Sequence, residues 1–375
     1  MDDQKMSMNF WKDRRVFLTG HTGFKGGWLS SWLQSKGALV TGYSLAPKGE
    51  FNFFNVAQVS RGMVESHEAD IRDLLSLKSA MLSSKPEVVI HMAAQALVRQ
   101  SYRDPVETYS TNVMGTVNLF EAVRTTSGVR AVVNITTDKC YENKEWEWAY
   151  REIDPLGGFD PYSNSKGCAE MVTSAYRNSF FNPMQYQNHG VAIATVRAGN
   201  VIGGGDWSAD RLIPDILSAF EKRQPVQIRN PNAIRPWQHV LEPLRGYMLL
   251  ARCLVEKGPA FGDSWNFGPL DDDARSVEWI VKQMANRWGD GAHWQIDQSE
   301  QPHEANYLKL DISKARSRLL WEPTLRLTGA IDLVIQWTKE FRANADMRDV
   351  TLQQILKYQK LNNVLSLDKN DERIA

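Results

Sequence analysis

Cysteine is scarce in this chain: Cys140, Cys168 and Cys253 are the three among 375 residues. They lie too far apart for a disulfide framework or a metal-ligand spacing. The seven histidines form no H-x-x-E-H or H-E-x-x-H pattern, so no metal site is expected. No apolar run reaches the roughly 18 residues of a membrane span. Residues 1–12 are charged and lack the apolar core of a signal peptide. Net charge is missing too, with 44 Lys and Arg against 44 Asp and Glu. That balance removes the electrostatic ground for a nucleic-acid or anionic-membrane partner, while leaving room for a local basic pocket. Internal repeats and low-complexity segments are likewise absent. Together these absences point to a reducing, cytoplasmic setting.

What is present is enough apolar residue for a substantial core, 42% of the chain, in one large α/β unit or two modest domains. The 13 tryptophans are scattered, as core residues are. The organising stretch is Val16-Phe17-Leu18-Thr19-Gly20-His21-Thr22-Gly23-Phe24-Lys25-Gly26. A short buried strand runs into a glycine turn and then a helix whose Leu29, Trp32 and Leu33 recur at i, i+3 and i+4. Such a turn brings backbone N–H groups and the positive helix end against a diphosphate, and a Cβ there would hold the ligand off. The spacing G-x-x-G-x-x-G is one residue wider than the dinucleotide fingerprint. Taken alone it fits an ordinary strand–turn–helix as well as nucleotide binding.

Further strands are expected at 38–43, 87–91, 131–135 and 191–196, with helices at about 74–83, 105–124 and 162–180 between them. Residues 45–69 read as irregular, despite Phe51, Phe53 and Phe54. Continuous apolar strands alternating with helices predict a doubly wound parallel sheet of Rossmann type. The dinucleotide-binding domain is expected over 1–199, with a strand returning to the sheet within 236–268. A smaller lobe is expected over 200–345, mainly 200–235 and 269–330. Residues 331–362 read as helical, and 346–375 as a C-terminal helix with a frayed polar tail.

The chemistry starts at Tyr162-Ser163-Asn164-Ser165-Lys166. On a helix Tyr162 and Lys166 share a face one turn apart. An ammonium near a phenol is expected to favour the phenolate and make Tyr162 a base at neutral pH. A lone Y-x-x-x-K is weak, because both residues are common on helix surfaces. Together with Thr19–Gly26 and His91-Met92-Ala93-Ala94-Gln95, in this order, it resembles the extended short-chain dehydrogenase/reductases, the nucleotide-sugar epimerases and dehydratases. The resemblance runs from about Arg15 to Trp337. It implies Tyr162 as active-site base with Lys166 as its cofactor-binding partner. Gly20, Thr22, Gly23, Phe24, Lys25 and Gly26 would hold the cofactor, with Asp70 and Ile71 by the adenine and Ala93, Ala94 and Gln95 alongside.

Within that family, Thr136-Thr137-Asp138-Lys139-Cys140-Tyr141 separates dehydratase from epimerase. It follows the fifth strand, where residues point into the ligand crevice. Losing water across C5 and C6 of a sugar needs a base for the C5 proton and an acid for the departing 6-hydroxyl. Asp138 and Lys139 fill these roles only if one is proton-loaded and the other is not. An ordinary surface ion pair is the alternative. Lys139 stands where better-known dehydratases resemble one another in having Glu, and Thr-Asp-Lys-Cys-Tyr is similar to the CDP-glucose branch. That likeness implies a CDP-D-glucose substrate, catalysis by Thr137, Asp138, Lys139, Tyr162 and Lys166, and a Lys139 that must be neutral. Asn200 would contact sugar or phosphate. Arg211, with Leu212 beside it, and Arg235 would meet the substrate diphosphate. The segment 301–307 resembles an Arg-Pro-Gly-His stretch of related enzymes but lacks its Arg, and is left out of the site.

The acid expected roughly 20 residues beyond the glycines, for the adenosine ribose, is missing: Ser44 takes its place. No Arg stands ready for a 2′-phosphate, so NAD is the expected cofactor, held more weakly than where the acid is kept. The rivals are an epimerase, which leaves Asp138-Lys139 unexplained, and a non-catalytic dinucleotide sensor, which needs none of these groups. The family also implies a homodimer or homotetramer, through the helices at 105–124 and 162–180.

Overall fold

The computed structural model describes residues 10–297 and 307–372. Six strands follow in chain order: β1 (Arg15–Thr19), β2 (Leu39–Ser44), β3 (Glu65–Glu68), β4 (Val88–His91), β5 (Ala131–Ile135) and β6 (Ala192–Ala198). A returning strand, Ser264–Phe267, completes a seven-stranded sheet ordered β3-β2-β1-β4-β5-β6 and then Ser264–Phe267. Every pairing in it is parallel. β4, β5 and β6 are buried at every position, because helices cover both faces. On one face Trp28, Leu29 and Leu33 of the helix Phe24–Ser35 and Leu244, Leu250 and Leu254 of the helix Leu241–Lys257 share a core with Val16, Leu18 and Val133. On the other, Leu77 and Met81, with Leu119 and Phe120, close over Phe17, Val89 and Val132. The doubly wound sheet expected from the sequence is thus the observed one.

Strand order reverses at β1, with β2 on one side and β4 on the other. Chains leaving the carboxyl ends of β1 and β4 therefore diverge and open a crevice. β3 departs from the sequence expectation of an irregular stretch over 45–69, which holds a short helix, Phe53–Val56, and β3. The reason is that Glu65-Ser66-His67-Glu68 is a polar edge strand with no apolar alternation to reveal it. Pairing of Thr41–Ser44 with Glu65–Glu68 creates it.

A second apolar core gathers Ile213, Ile216 and Phe220 with Ile280, Met284, Trp288, Ile331 and Val334. It is joined to the sheet at Gly204, where a Cβ would lie 2.1 Å from the Trp337 ring, and where Trp28 Nε1 donates to the Gly204 carbonyl over 3.0 Å. The expected single helical run over 331–362 is two helices, Leu327–Arg342 and Met347–Glu372. Asn344, at φ 56°, reverses the chain between them, so that Tyr358 packs on Trp32 at 5.6 Å. The second helix continues to Glu372 through the stretch expected to fray. Among the described residues, no helix is long and apolar enough to cross a membrane.

Candidate active site

The crevice floor is set by Thr19 at the end of β1. Its hydroxyl pairs with His91 Nδ1 at 2.7 Å and accepts from the backbone N–H of Met92 and Ala93. Gly20 turns away at φ 75°, and a Cβ on it would stand 2.7 Å from Ala93 N. A Cβ on Gly26 would lie 2.0 Å from the Gly20 carbonyl oxygen, so the helix Phe24–Ser35 can start against the turn only with glycine here. Gly23 caps that helix without a side chain, and no acidic residue occupies its first turn. Its leading N–H groups are therefore free of competing carboxylates, and the cradle fits an anionic diphosphate. Phe24 packs edge-on to Phe53 at 6.5 Å and walls one side.

Thr22 and Ser44 meet at the end of β2, with their hydroxyl oxygens 2.8 Å apart, and Thr22 also donates to the Leu45 carbonyl. A hydroxyl pair thus stands where an acid was missed in the sequence. Asp70 and Ile71 follow β3 at the same edge. The Asp70 carboxylate is gripped by the Arg72 guanidinium, whose hydrogen bonds hold it below the usual range, while Ile71 is buried. Ala93 and Ala94 follow β4 into the crevice. The Gln95 amide is instead committed to its own loop: Nε2 donates to Thr108 over 2.9 Å and Oε1 accepts from the Leu97 N–H. Asn112, unsuspected from the sequence, ties this loop to Ser165 on the Tyr162 helix (Pro161–Ser179) over 2.8 Å.

Asp160 caps that helix through the Ser163 N–H, and Pro161 occupies its first position. Tyr162 and Lys166 are both buried. The Lys166 ammonium donates to the Ile135 carbonyl over 3.1 Å, so it is not spent on the phenol. The expectation that Lys166 lowers the Tyr162 pKa is not met in this structure. Burial pushes the phenol up to about 12, with the hydrogen bond to Thr137 opposing. Burial also brings Lys166 down to about 8, against the nearby Glu170 charge.

After β5 the chain makes a single 3-10 turn, Asp138–Cys140, whose Cys140 packs away with Tyr141 and Tyr150. Asp138 is 2% exposed. Thr137 donates to its Oδ1 over 3.0 Å, while Oδ2 has no hydrogen-bond partner among the described residues. A Cβ on Gly199 would come within 3.1 Å of that oxygen, which puts Asn200 and the end of β6 beside it. Burial raises the Asp138 carboxyl, against the charges of Lys139 and Arg235 and the Thr137 hydrogen bond. Burial of this kind favours the protonated form of a carboxyl, the form that can donate. Lys139 is half-buried next to it.

Lys25, expected only to hold the cofactor, reaches the centre of the crevice. Its ammonium lies 6.0 Å above the Tyr247 ring. Burial, with the charges of Lys166 and Arg211, brings it down to about 7 against the pull of Asp138. Tyr247 comes from the helix Leu241–Lys257, and its buried hydroxyl lacks a partner among the described residues. No spacing in the sequence pointed to it. Arg211 pairs with Asp206 at 3.0 Å at the start of the helix Leu212–Glu221, where Leu212 packs on the second core. Arg235 lies on a strand paired antiparallel with Ala274–Ser276, near enough to Asp138 to oppose its rise. Residues 301–306 lie outside the described residues.

The GDP-mannose 4,6 dehydratase family matches residues 17–333 of this chain. A CDP-glucose 4,6-dehydratase of Salmonella typhimurium (strain LT2) is 56% identical over 350 residues, 93% of this chain and 97% of that protein. A UDP-glucose 4-epimerase of Mycolicibacterium smegmatis is 33% identical over 227 residues, 55% of this chain and 72% of that protein. The solved structure of a double mutant of a dTDP-glucose 4,6-dehydratase from Streptomyces venezuelae has the same fold. Its TM-score is 0.73 at 22% identity, covering 89% of this chain and 99% of that one. With a family match that spans most of the sequence and a glycine cradle, Tyr162-Lys166 helix and Asp138 turn converging on one crevice, the chain belongs to the GDP-mannose 4,6 dehydratase family of extended short-chain dehydrogenase/reductases.

Proposed function

We infer that the protein is a CDP-glucose 4,6-dehydratase, a hydro-lyase that uses NAD catalytically and releases CDP-4-dehydro-6-deoxy-D-glucose and water. The 56% identical Salmonella relative is named for that activity and aligns over nearly the whole chain, and the S. venezuelae structure has NAD bound. The observation that carries the reading here is Asp138, a buried carboxyl whose pKa desolvation raises, with one unpartnered oxygen beside Lys139. An epimerase has no use for it.

When bound, NAD would supply the acceptor for the C4 hydride and the donor for its return to C6. Gly20, Gly23 and Gly26 with the helix N-terminus would hold its diphosphate, and Thr22 and Ser44 its adenosine ribose. In the proposed mechanism Tyr162 takes the proton of the 4-hydroxyl. The Thr137 hydroxyl and the Arg211 charge are groups of the protein that favour the phenolate. Once C4 is a ketone, the C5 hydrogen is acidic. Lys139 removes it, Asp138 protonates the 6-hydroxyl so that it leaves as water, and Lys139 returns a proton to C5 once C6 has been reduced. Arg211, Arg235 and Asn200 are assigned to the substrate's diphosphate and sugar.

A second copy of the chain would cover Val106, 77% exposed, Met114, 52%, and Met171, 56%, giving a homodimer or a pair of dimers. The free cysteines suit a reducing cytoplasm. The ketone product suits enzymes that build deoxysugars for surface polysaccharide.

The deciding experiment uses CDP-glucose deuterated at C4, in ordinary water. Deuterium at C6 with solvent hydrogen at C5 is the expected outcome. Deuterium retained at C4 of an epimer would overturn the reading.

A further inference from the structure

Behind the reactive turn lies a buried ion pair that the chemistry above does not use. Glu170 follows Tyr162 and Lys166 on the same helix face, at i+8, and is fully sequestered with Arg197 of β6. The pair is bidentate: Arg197 Nε donates to Glu170 Oε1 over 3.0 Å and Nη2 to Oε2 over 2.9 Å. Burial alone would raise the Glu170 carboxyl, but the Arg197 charge and hydrogen bonds hold it below the usual range. Both ends of the turn are fastened to this pair. On the entering side, Thr136 Oγ1 donates to Glu170 Oε1 over 2.5 Å. On the leaving side, Arg197 Nη1 donates to the Tyr141 hydroxyl over 2.8 Å, and that hydroxyl donates to Asn266 Oδ1 over 2.7 Å. Thr137, Asp138 and Lys139 lie between these two fastenings. Thr195 and Ser264 satisfy Glu170 Oε2, so the network spans β5, β6, the returning strand and the Tyr162 helix.

A buried ion pair is a poor device for stability alone, since an apolar replacement of similar shape is often as stable. What this one adds is a fixed distance between two groups on different elements. We propose that Glu170 and Arg197 are positioning residues for the elimination step, holding Asp138 and Lys139 at a set reach from the sugar that Tyr162 has oriented. The proposal rests on the dehydratase reading.

Mutating the pair itself would disturb Lys166, whose pKa Glu170 supports. The test therefore cuts the two fastenings, with Thr136→Val and Tyr141→Phe, singly and together, in the full-length NAD-loaded enzyme. Wild-type release of the 4-dehydro-6-deoxy product tests the dehydratase reading; the ratio of variant to wild type tests this inference. Elimination, followed by product formation and by C5 hydrogen exchange with solvent, is expected to slow about 10- to 100-fold in the double variant, the scale of a misplaced catalytic group. KM and the first-turnover rate of nicotinamide reduction should stay at the wild-type level, so reduced cofactor accumulates. Thr136→Ser, which keeps the hydroxyl, should restore the rate. A proportional loss of hydride transfer and elimination overturns the proposal. So does an unchanged rate in folded variants, or a Thr136→Ser enzyme as slow as Thr136→Val.

Discussion

Replacing Asp138 by Asn removes a proton and little else. The side chain is 2% exposed, its Oδ1 accepts a hydrogen bond from Thr137 over 3.0 Å, and the Asn carbonyl can accept the same bond. The orphaned Oδ2 becomes an amide that cannot deliver a proton to a leaving hydroxyl. General acid catalysis contributes about 10²- to 10⁴-fold, or about 2.7–5.5 kcal/mol of barrier, and turnover is expected to fall by that factor. The hydride steps do not use this proton. Asp138→Asn should therefore still reduce bound NAD and exchange C5 hydrogen with solvent while product release collapses, as stopped-flow absorbance and NMR would report. The pH dependence has a defined sign. Burial raises the carboxyl above its ordinary 3.8, so the acid form, and kcat with it, is lost as pH rises through the raised value. That limb should vanish in Asp138→Asn. Stability follows the same sign: the neutral buried carboxyl is at full advantage below 3.8, and its contribution is lost as pH rises through the folded pKa. The variant should thus melt no lower than wild type at neutral pH. Wild-type turnover by Asp138→Asn, or an alkaline limb that survives in it, would refute the assignment.

Lys139→Met is expected to keep reduction of bound NAD but to lose C5 exchange, the reverse of Asp138→Asn on that one readout; unchanged exchange would remove Lys139 as the base. Ser44→Asp should tighten NAD by several-fold, the worth of about one hydrogen bond to a charged group, measured by calorimetric titration, with no gain expected for NADP. The cofactor-free protein should grow more stable as pH rises from about 7 towards 10. Lys25 and Lys166 titrate near 7 and 8 in the folded chain, against 10.5 when unfolded, so the unfolded chain binds more protons throughout that window. Lys25→Met should flatten part of the slope of melting temperature against pH.

Much of the site is local in origin and was legible for that reason. Gly20 and Gly26 are demanded by a turn seven residues long, and Tyr162 and Lys166 share a face because a helix repeats every 3.6 residues. The parallel sheet announced itself in continuous apolar runs such as Ala131–Ile135. Where the apolar signal stopped, so did the reading. β3 exists because β2 offers it a partner, and Gln95 turned into its own loop because Thr108 and Leu97 came within reach.

The sequence by itself determined the apolar strands of the sheet and which chemical groups stand near the ends of β1, β4 and β5. Tertiary structure alone decided their protonation and reach. The pKa of Tyr162 rises rather than falls because desolvation inside the assembled crevice outweighs a lysine one turn away, whose ammonium is drawn to the Ile135 carbonyl. The Asp138 carboxyl is raised because the fold buries it, and one of its oxygens is left unpaired among the described residues. The ion pair that fastens its turn joins residues 27 apart on different elements. Backbone period and residue type are written locally, whereas burial and long-range pairing are properties of the whole folded chain.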